Sequence, residues 1–393
     1  MEDAMQAFEV QWTEESVNRL LHRIADTPLP EAPISDGWKH GCDANFLAGF
    51  RDYWVNDFDW RACVAALNRH PQFIARVEGL DVHFVHVQGE NQGRRPLLLT
   101  HGWPGSYIEF WNVIEPLAFP SRHGGRPEDA FDLVIPSLPG FGFSGKPGQV
   151  VGQRQTARMW NTLMTEVLGY PCYCAQGGDW GAIVTSWLGL DFPDSVQAIH
   201  LNMLGLRSLA PPGTDEERDW QRRVEGAQRV YSGYSAVQMF KPQSLVWATA
   251  GNPLGQAAWI LERFHDWADL RQRPFEQVFD RDTLLANLMI YLMTDSFASS
   301  IWYYPGVVND GFGILPDGVR CETPTWFARY HGDSLAPAAP RSRVERVYNL
   351  SQVSDIDEGG HFAALEVPQR FVADLHRWSE HMRNGLPAGL SGN

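Results

Sequence analysis

Gly177-Gly178-Asp179-Trp180-Gly181 sets one acidic residue among glycines, separated by Gln176 alone from the apolar segment 172–175. Glycine takes backbone conformations and close contacts that other residues cannot. The spacing therefore predicts a strand turning sharply into a helix, with residue 179 at the apex and the next backbone N–H facing the reacting centre. Where such a nucleophile elbow commonly carries serine, this chain carries aspartate. A carboxylate is ionised at neutral pH and attacks without a base to activate it. Its product is an ester on the protein, which a separate water must hydrolyse at the carboxyl carbon. That second step needs a histidine.

Around this turn the pattern alternates. Short apolar runs at 82–87, 97–99, 133–135, 172–175, 198–202, 325–328 and 347–353 are separated by Gly and Pro turns and by longer helical segments. This predicts an α/β fold with a mainly parallel sheet flanked by helices. The interruption from 207 to 311 is helical and aromatic and lacks the strand pattern, so it reads as a lid over the carboxyl ends of the strands, where open α/β sheets bind ligands. Before the sheet, Thr13 is a plausible N-cap, and Val17, Leu20, Leu21 and Ile24 recur at helical spacing. The aromatic region 46–73 reads as helices and loops packed on something else. The expected divisions are an N-terminal extension (1–92) packing on core and lid, core segments 93–206 and 312–393, and the lid (207–311). Phe371, Leu375 and Trp378 give the last helix its apolar stripe.

Composition narrows the classes. The 393 residues are 44% hydrophobic, enough for a large core, and 16 Trp with 21 Phe exceed what core filling requires, so some are expected to line an apolar pocket. A net charge of -15 argues against nucleic acid and anionic membranes as partners. Five cysteines without zinc-ligand spacing, and nothing before Phe8 that reads as a signal peptide or anchor, are expected of a soluble, cytoplasmic protein. Cys172 and Cys174 are read as packing residues of the strand leading to Asp179. No zinc-type His/Glu motif and no phosphate-cradling glycine loop is present in the sequence, so no metal or organic cofactor is expected.

Two further turns complete the chemistry. Leu97-Leu98-Leu99-Thr100-His101-Gly102-Trp103-Pro104-Gly105-Ser106 is an apolar strand running into a Gly/Pro turn, and the backbone N–H groups of Trp103 and Trp180 are expected to form an oxyanion hole. Ser137-Leu138-Pro139-Gly140-Phe141-Gly142-Phe143-Ser144 is a third glycine-bearing turn after a strand. Of 13 histidines, His361 in Glu358-Gly359-Gly360-His361-Phe362 lies between the last strand and the last helix, which makes it the base candidate. Asp333, after strand 325–328, suits the acid that orients it, in the chain order nucleophile, acid, histidine. Asp355, Asp357 and Glu358 compete for that role.

With these residues in place, the chain resembles the epoxide hydrolases of the α/β-hydrolase fold, in the microsomal and juvenile-hormone branch. The resemblance rests on 101–106, on 176–181 and on Gly359-Gly360-His361-Phe362-Ala363-Ala364. It spans nearly the whole chain from the Phe8 segment onward. It implies two lid tyrosines that hydrogen-bond the epoxide oxygen. Ser232-Gly233-Tyr234 and Ser299-Ser300-Ile301-Trp302-Tyr303-Tyr304 match the motifs that carry them, so Tyr234 and Tyr304 are implied as donors, with Tyr303 the neighbouring alternative. Trp103, Trp180, Tyr303 and Phe141 are implied as substrate contacts. The chain departs from microsomal relatives in carrying Asp333 where glutamate is frequent, and in lacking their membrane-anchoring helix. A small apolar epoxide and water are the implied substrates, and a homodimer is compatible.

The implied reaction opens an epoxide at Asp179 with tyrosine assistance, then hydrolyses the ester with water activated by His361 and Asp333. Two readings compete: a haloalkane dehalogenase using the same aspartate, and a non-catalytic binder that keeps the fold. A halide leaves as an anion and needs N–H donors rather than a proton.

Overall fold

The computed structural model describes residues 5–31, 36–91 and 94–385. Its strands are β1 (Met5–Phe8), β2 (Gln72–Val77), β3 (Leu80–Val87), β4 (Arg95–Thr100), β5 (Phe131–Pro136), β6 (Tyr173–Gly177), β7 (Val196–Leu201), β8 (Cys321–Tyr330) and β9 (Tyr348–Ile356). They form one sheet in the order β1-β2-β3-β5-β4-β6-β7-β8-β9. The pairs from β5 through β9 are parallel, while β1 to β3 add on antiparallel. This is an α/β-hydrolase fold.

Leu97, Leu98 and Leu99 show how the sheet is covered. All three are fully buried, yet Leu98 packs in one apolar cluster and Leu97 and Leu99 in the other. Successive strand side chains point to opposite faces, so a continuous apolar run requires helices on both. One face receives the helix Asp179–Asp191, through Ile183 and Trp187; the other receives Pro368–Gly385, through Phe371, Leu375 and Trp378. The apolar stripe of that last helix is buried as its spacing predicts.

The extension is more than packed helices. Its helix Glu14–Asp26 is capped by Thr13, whose side chain accepts from the Ser16 N–H, and it buries Val17, Leu20 and Ile24. Leu21, on the same stripe, is half-buried. The helix packs against Pro253–Trp267 and Arg281–Met293 of the inserted segment. The extension also contributes β1 and β2 to the sheet edge, which periodicity does not reveal. β1 has four residues and an exposed pattern. β2 and β3 join through Glu78-Gly79, both at positive φ (46° and 83°), a tight hairpin turn without the Asn-Gly or Asp-Gly signal that usually marks one. Cys172 lies just outside β6 and is half-buried, whereas Cys174 sits inside the strand.

The insertion is helical throughout, from Asp215–Tyr231 to Tyr304–Asn309. Its base is tied by a parallel bridge between Arg207 and Ile314, with Arg207 N donating to Gly313 O at 2.9 Å and Leu315 N to Arg207 O at 2.9 Å. Among the described residues, no single helix is long and apolar enough to cross a membrane.

The crossing of β6 into its helix depends on missing side chains. A Cβ on Gly177 would collide with Gly181 O, and one on Gly181 would collide with Thr100 O of β4. Both obstacles are backbone, so neither can swing aside. Gly181→Ala is therefore expected to destabilise by roughly 1–3 kcal/mol or more. A thermal melt of the variant beside the parent, with an activity assay, checks this; an unchanged midpoint and rate would contradict it.

Candidate active site

The sheet topology brings the singled-out residues to one end. Trp103 follows β4, Asp179 follows β6, Asp333 follows β8 and His361 follows β9. All lie beyond the carboxyl ends of parallel strands, as ligand sites of open α/β sheets do.

Asp179 adopts φ 48°, a left-handed conformation costing a non-glycine residue on the order of 1–2 kcal/mol. The strain turns its carboxylate out of the helix and toward the turn after β4. There, Trp103 N donates to Oδ1 at 2.8 Å. The Trp180 N–H belongs to the first helical turn, whose N–H groups lack intrahelical acceptors and favour negative charge. Among the described contacts it makes no hydrogen bond to the carboxylate.

His361 faces the other oxygen. Its Nε2 lies 3.3 Å from Asp179 Oδ2, and its Nδ1 lies 3.0 Å from Asp333 Oδ2. Asp333 is itself fixed, its Oδ1 accepting from Leu335 N at 2.9 Å and Ala336 N at 2.8 Å. The competitors stand elsewhere: the Asp355 carboxylate pairs with Arg329 and His331, that of Glu358 pairs with Arg370, and Asp357 is exposed. Burial opposes a charge on His361, but the Asp333 charge and the hydrogen bonds to Asp179 and Asp333 outweigh it, holding the imidazole well above its usual 6.5.

The other histidine of the β4 turn works differently. His101 Nε2 accepts from Leu138 N at 3.1 Å, and Nδ1 donates to Gly102 O at 2.9 Å. Burial pushes it down to about 4, so it is a neutral strut between the turns after β4 and β5.

Aromatic side chains close the site from the lid. The Tyr234 ring stacks on Trp103 at 5.6 Å, and Tyr304 stands edge-on to Trp180 at 4.6 Å and to Trp103 at 5.6 Å. The two tyrosine rings lie 6.0 Å apart at 86°. Tyr303 points elsewhere, its hydroxyl 2.9 Å from Thr156 Oγ1. The Tyr304 hydroxyl is buried beside the Tyr234 hydroxyl, with which it interacts, and has no hydrogen bond to any other described residue. Burial, and then nearby negative or polar groups including Asp179, push both tyrosines upward, so they are neutral donors. Phe141 is fully buried between His101 and Tyr303 and packs beneath the site.

Sequence reasoning missed the frame that holds His361. Its N–H donates to Trp267 O in the lid at 3.1 Å, and Gly359 N donates to Asp269 Oδ2 at 3.1 Å. Glu366 accepts from Gly360 N, Phe362 N and Asp269 N, each at 2.8 Å. Burial outweighs these donors and pushes the Glu366 carboxyl up to about 7. Glu366, Asp269 and Trp267 carry no motif, and two of them come from a lid segment about ninety residues away in sequence.

Comparison with known proteins decides the family. Residues 5–110 match the epoxide hydrolase N-terminus family and 95–249 the alpha/beta hydrolase fold family. Epoxide hydrolase 1 of Oryctolagus cuniculus is 34% identical, over 95% of this chain and 88% of its own length. The chain belongs to the epoxide hydrolase family. Juvenile hormone epoxide hydrolase 2 of Ctenocephalides felis is a second relative of this family member, 30% identical over 95% of the chain and 85% of its own. Among solved structures, an enantioselective mutant of the Aspergillus niger epoxide hydrolase superposes with TM-score 0.83 at 31% identity, covering 96% of each chain. The Bombyx mori juvenile hormone epoxide hydrolase gives 0.82 at 28% identity, covering 98% of this chain and 95% of its own.

In this epoxide hydrolase the Asp179 charge helps to keep His361 protonated, so removing it lowers the histidine pKa. In Asp179→Asn, NMR titration of the His361 ring is expected to show a midpoint below that of the parent. The linkage has a definite sign. A raised histidine pKa contributes stability that is fully present below about pH 6.5 and is lost as pH rises through the folded-state value. The variant should lose that part of the pH dependence, and an unshifted midpoint would contradict the coupling.

Proposed function

We propose that the protein hydrolyses an epoxide to a vicinal diol through a hydroxyalkyl ester on Asp179. The observation that carries the proposal is the Asp179 carboxylate, held by Trp103 N–H on one oxygen and by His361 on the other, with Asp333 behind the imidazole. Oδ1 sits on a backbone N–H that can hold an ester carbonyl oxygen and Oδ2 faces the mobile proton of His361, so in this reading Oδ2 attacks and Oδ1 becomes the ester carbonyl oxygen.

Ring opening releases an alkoxide, which needs a donor at the oxygen. Tyr234 and Tyr304 supply it in this reading, and the choice over Tyr303 is supported by the Tyr304 hydroxyl lying beside that of Tyr234 while the Tyr303 hydroxyl is tied to Thr156. Esterification removes the Asp179 charge, so one of the groups holding the proton on His361 disappears. The imidazolium gives up one proton as the alkoxide takes one, and the proton count closes. His361, now neutral and oriented by Asp333, removes a proton from water, which attacks Cγ while Oδ1 takes the negative charge beside the Trp103 and Trp180 N–H groups. Collapse breaks the Cγ–Oδ2 bond, the proton returns from His361 to the departing alkoxide, and the second water proton, left on the Asp179 carboxyl group, passes to His361 and restores the starting pair. Each oxyanion-hole donor contributes about 100-fold to 1,000-fold in such reactions.

The division into extension (1–92), core (93–206 and 312–393) and lid (207–311) belongs to this proposal, supported by the Arg207–Ile314 bridge; residues 1–4, 32–35, 386–393 and the boundary residues 92–93 lie outside the described ones. The proposal also includes a soluble, cytoplasmic protein, supported by the net charge of -15. Exposed Val230, Phe240 and Trp247 on the lid are what supports a homodimer.

A panel of epoxides and haloalkanes separates the readings: diol from epoxides is expected, halide release alone would indicate a dehalogenase, and no turnover a binder. With a good epoxide, His361→Gln should accumulate an ester visible as added mass on the intact protein, whereas Asp179→Ala should show none. Tyr304→Phe should slow formation of that ester by about 100-fold. Normal turnover by His361→Gln would remove the histidine from the scheme.

A further inference from the structure

A small cavity sits against the Asp179 carboxyl group, with about 10 Å³ of room for the centre of a water molecule. That is space for roughly one water. Gly102, Glu109, Gln176, Asn202, Asp179 and His361 contribute its polar wall, and phenylalanine and alanine side chains close the rest. The ester carbon and the base of the reaction thus border one chamber.

Two side chains in that wall lack a role so far. Gln176 is 1% exposed and its Nε2 donates to Asn202 Oδ1 at 2.9 Å, but its Oε1 has no partner among the described residues. A buried acceptor left open is costly, and an ordered water is the common remedy. Glu109 keeps part of its surface although protein atoms surround it on every side, as befits a side chain facing an internal cavity. Its Oε1 accepts from Gly102 N at 3.3 Å. The turn after β4 is shaped around it, because a Cβ on Gly105 would collide with Glu109 Oε1. Gly102 is bare for the matching reason: its Cβ would collide with the Asp179 side chain. Burial first, and the Asp179 charge second, push the Glu109 carboxyl up to about 8. A neutral acid beside the nucleophile brings hydrogen-bonding capacity without repelling the carboxylate.

We infer that Glu109 and Gln176 hold the hydrolytic water in this cavity, aligned between His361 Nε2 and Cγ of the Asp179 ester. The inference rests on the covalent reading given under Proposed function. The water donates one proton to His361 and the other to Gln176 Oε1, Glu109 supplies the third contact, and the remaining lone pair faces Cγ. On attack the new bond is O–Cγ, the first proton passes to His361, and the Cγ–Oδ2 bond breaks as that proton returns to the diol. The new oxygen stays on Asp179. Ring opening uses no water, so the two side chains act on the second step alone.

Pre-steady-state kinetics with a chromogenic epoxide and mass detection of the ester test this. Glu109→Leu is expected to slow ester hydrolysis by about 100-fold while ester formation changes by less than about threefold. The ester then accumulates, and kcat and KM fall together so that kcat/KM holds. Glu109→Gln, which keeps the shape and the hydrogen-bonding capacity, should recover at least about tenfold of the loss. Equal slowing of both steps, or a parental rate of hydrolysis, would overturn the inference. Should Glu109→Leu fail to fold, Gln176→Leu decides by the same two rates. If His361→Gln forms no ester, the covalent reading itself has failed, which is a different outcome from hydrolysis that does not depend on Glu109.

Discussion

The hydrogen bond from Trp103 N to Asp179 Oδ1 is the contact on which the site depends. It exists because two strand ends, β4 and β6, approach more closely than side chains at the crossing would permit. Gly177 and Gly181 leave the backbone contacts open, and Gly102 leaves room for the carboxylate. The strained φ of Asp179 is the cost of that approach, and the hydrogen bonds and surrounding packing offset it. Once the carboxylate is fixed, its second oxygen has one place to meet a base, and the loop after β9 delivers His361 there.

That loop is held from both sides of the chain. Glu366 below and Trp267 with Asp269 above bind its backbone, so lid and core share in positioning the histidine. The lid is therefore not a mere cover. It brings Tyr234 and Tyr304 against Trp103 and Trp180, and through Trp267 it also sets the height of His361. The electrostatics follow the same plan: the charges of Asp333 and Asp179 hold the His361 imidazole above its usual value, and in the proposed reaction esterification of Asp179 removes part of that bias, so that the nucleophile switches its own base on.

How much was legible in the sequence follows from the range of the interactions. The elbow, the turn after β4 and the histidine loop are local, built from glycines whose spacing is visible in one dimension. The parallel strands are visible because burial on both faces makes them continuous apolar runs, as at Leu97, Leu98 and Leu99. Asp333 followed from chain order, and its rivals turn out to serve Arg329, His331 and Arg370. β1 and β2 were hidden because an exposed four-residue edge strand and a Glu-Gly turn carry no periodic signal. Glu109, Glu366 and Asp269 were hidden because a buried carboxyl group looks like any surface acid until the fold encloses it. Tyr303 and Tyr304 are adjacent in sequence, and only the helix register sends one to Thr156 and the other to the site.

The central claim is that water oxygen enters Asp179 before it enters product. A single turnover of excess enzyme with an epoxide in oxygen-18 water tests it most directly. The account predicts unlabelled oxygen in the first diol and one labelled oxygen in the Asp179 carboxylate, read by mass spectrometry of the peptide that contains it. Label in the first diol, with none in Asp179, would contradict it and leave direct attack of water on the epoxide.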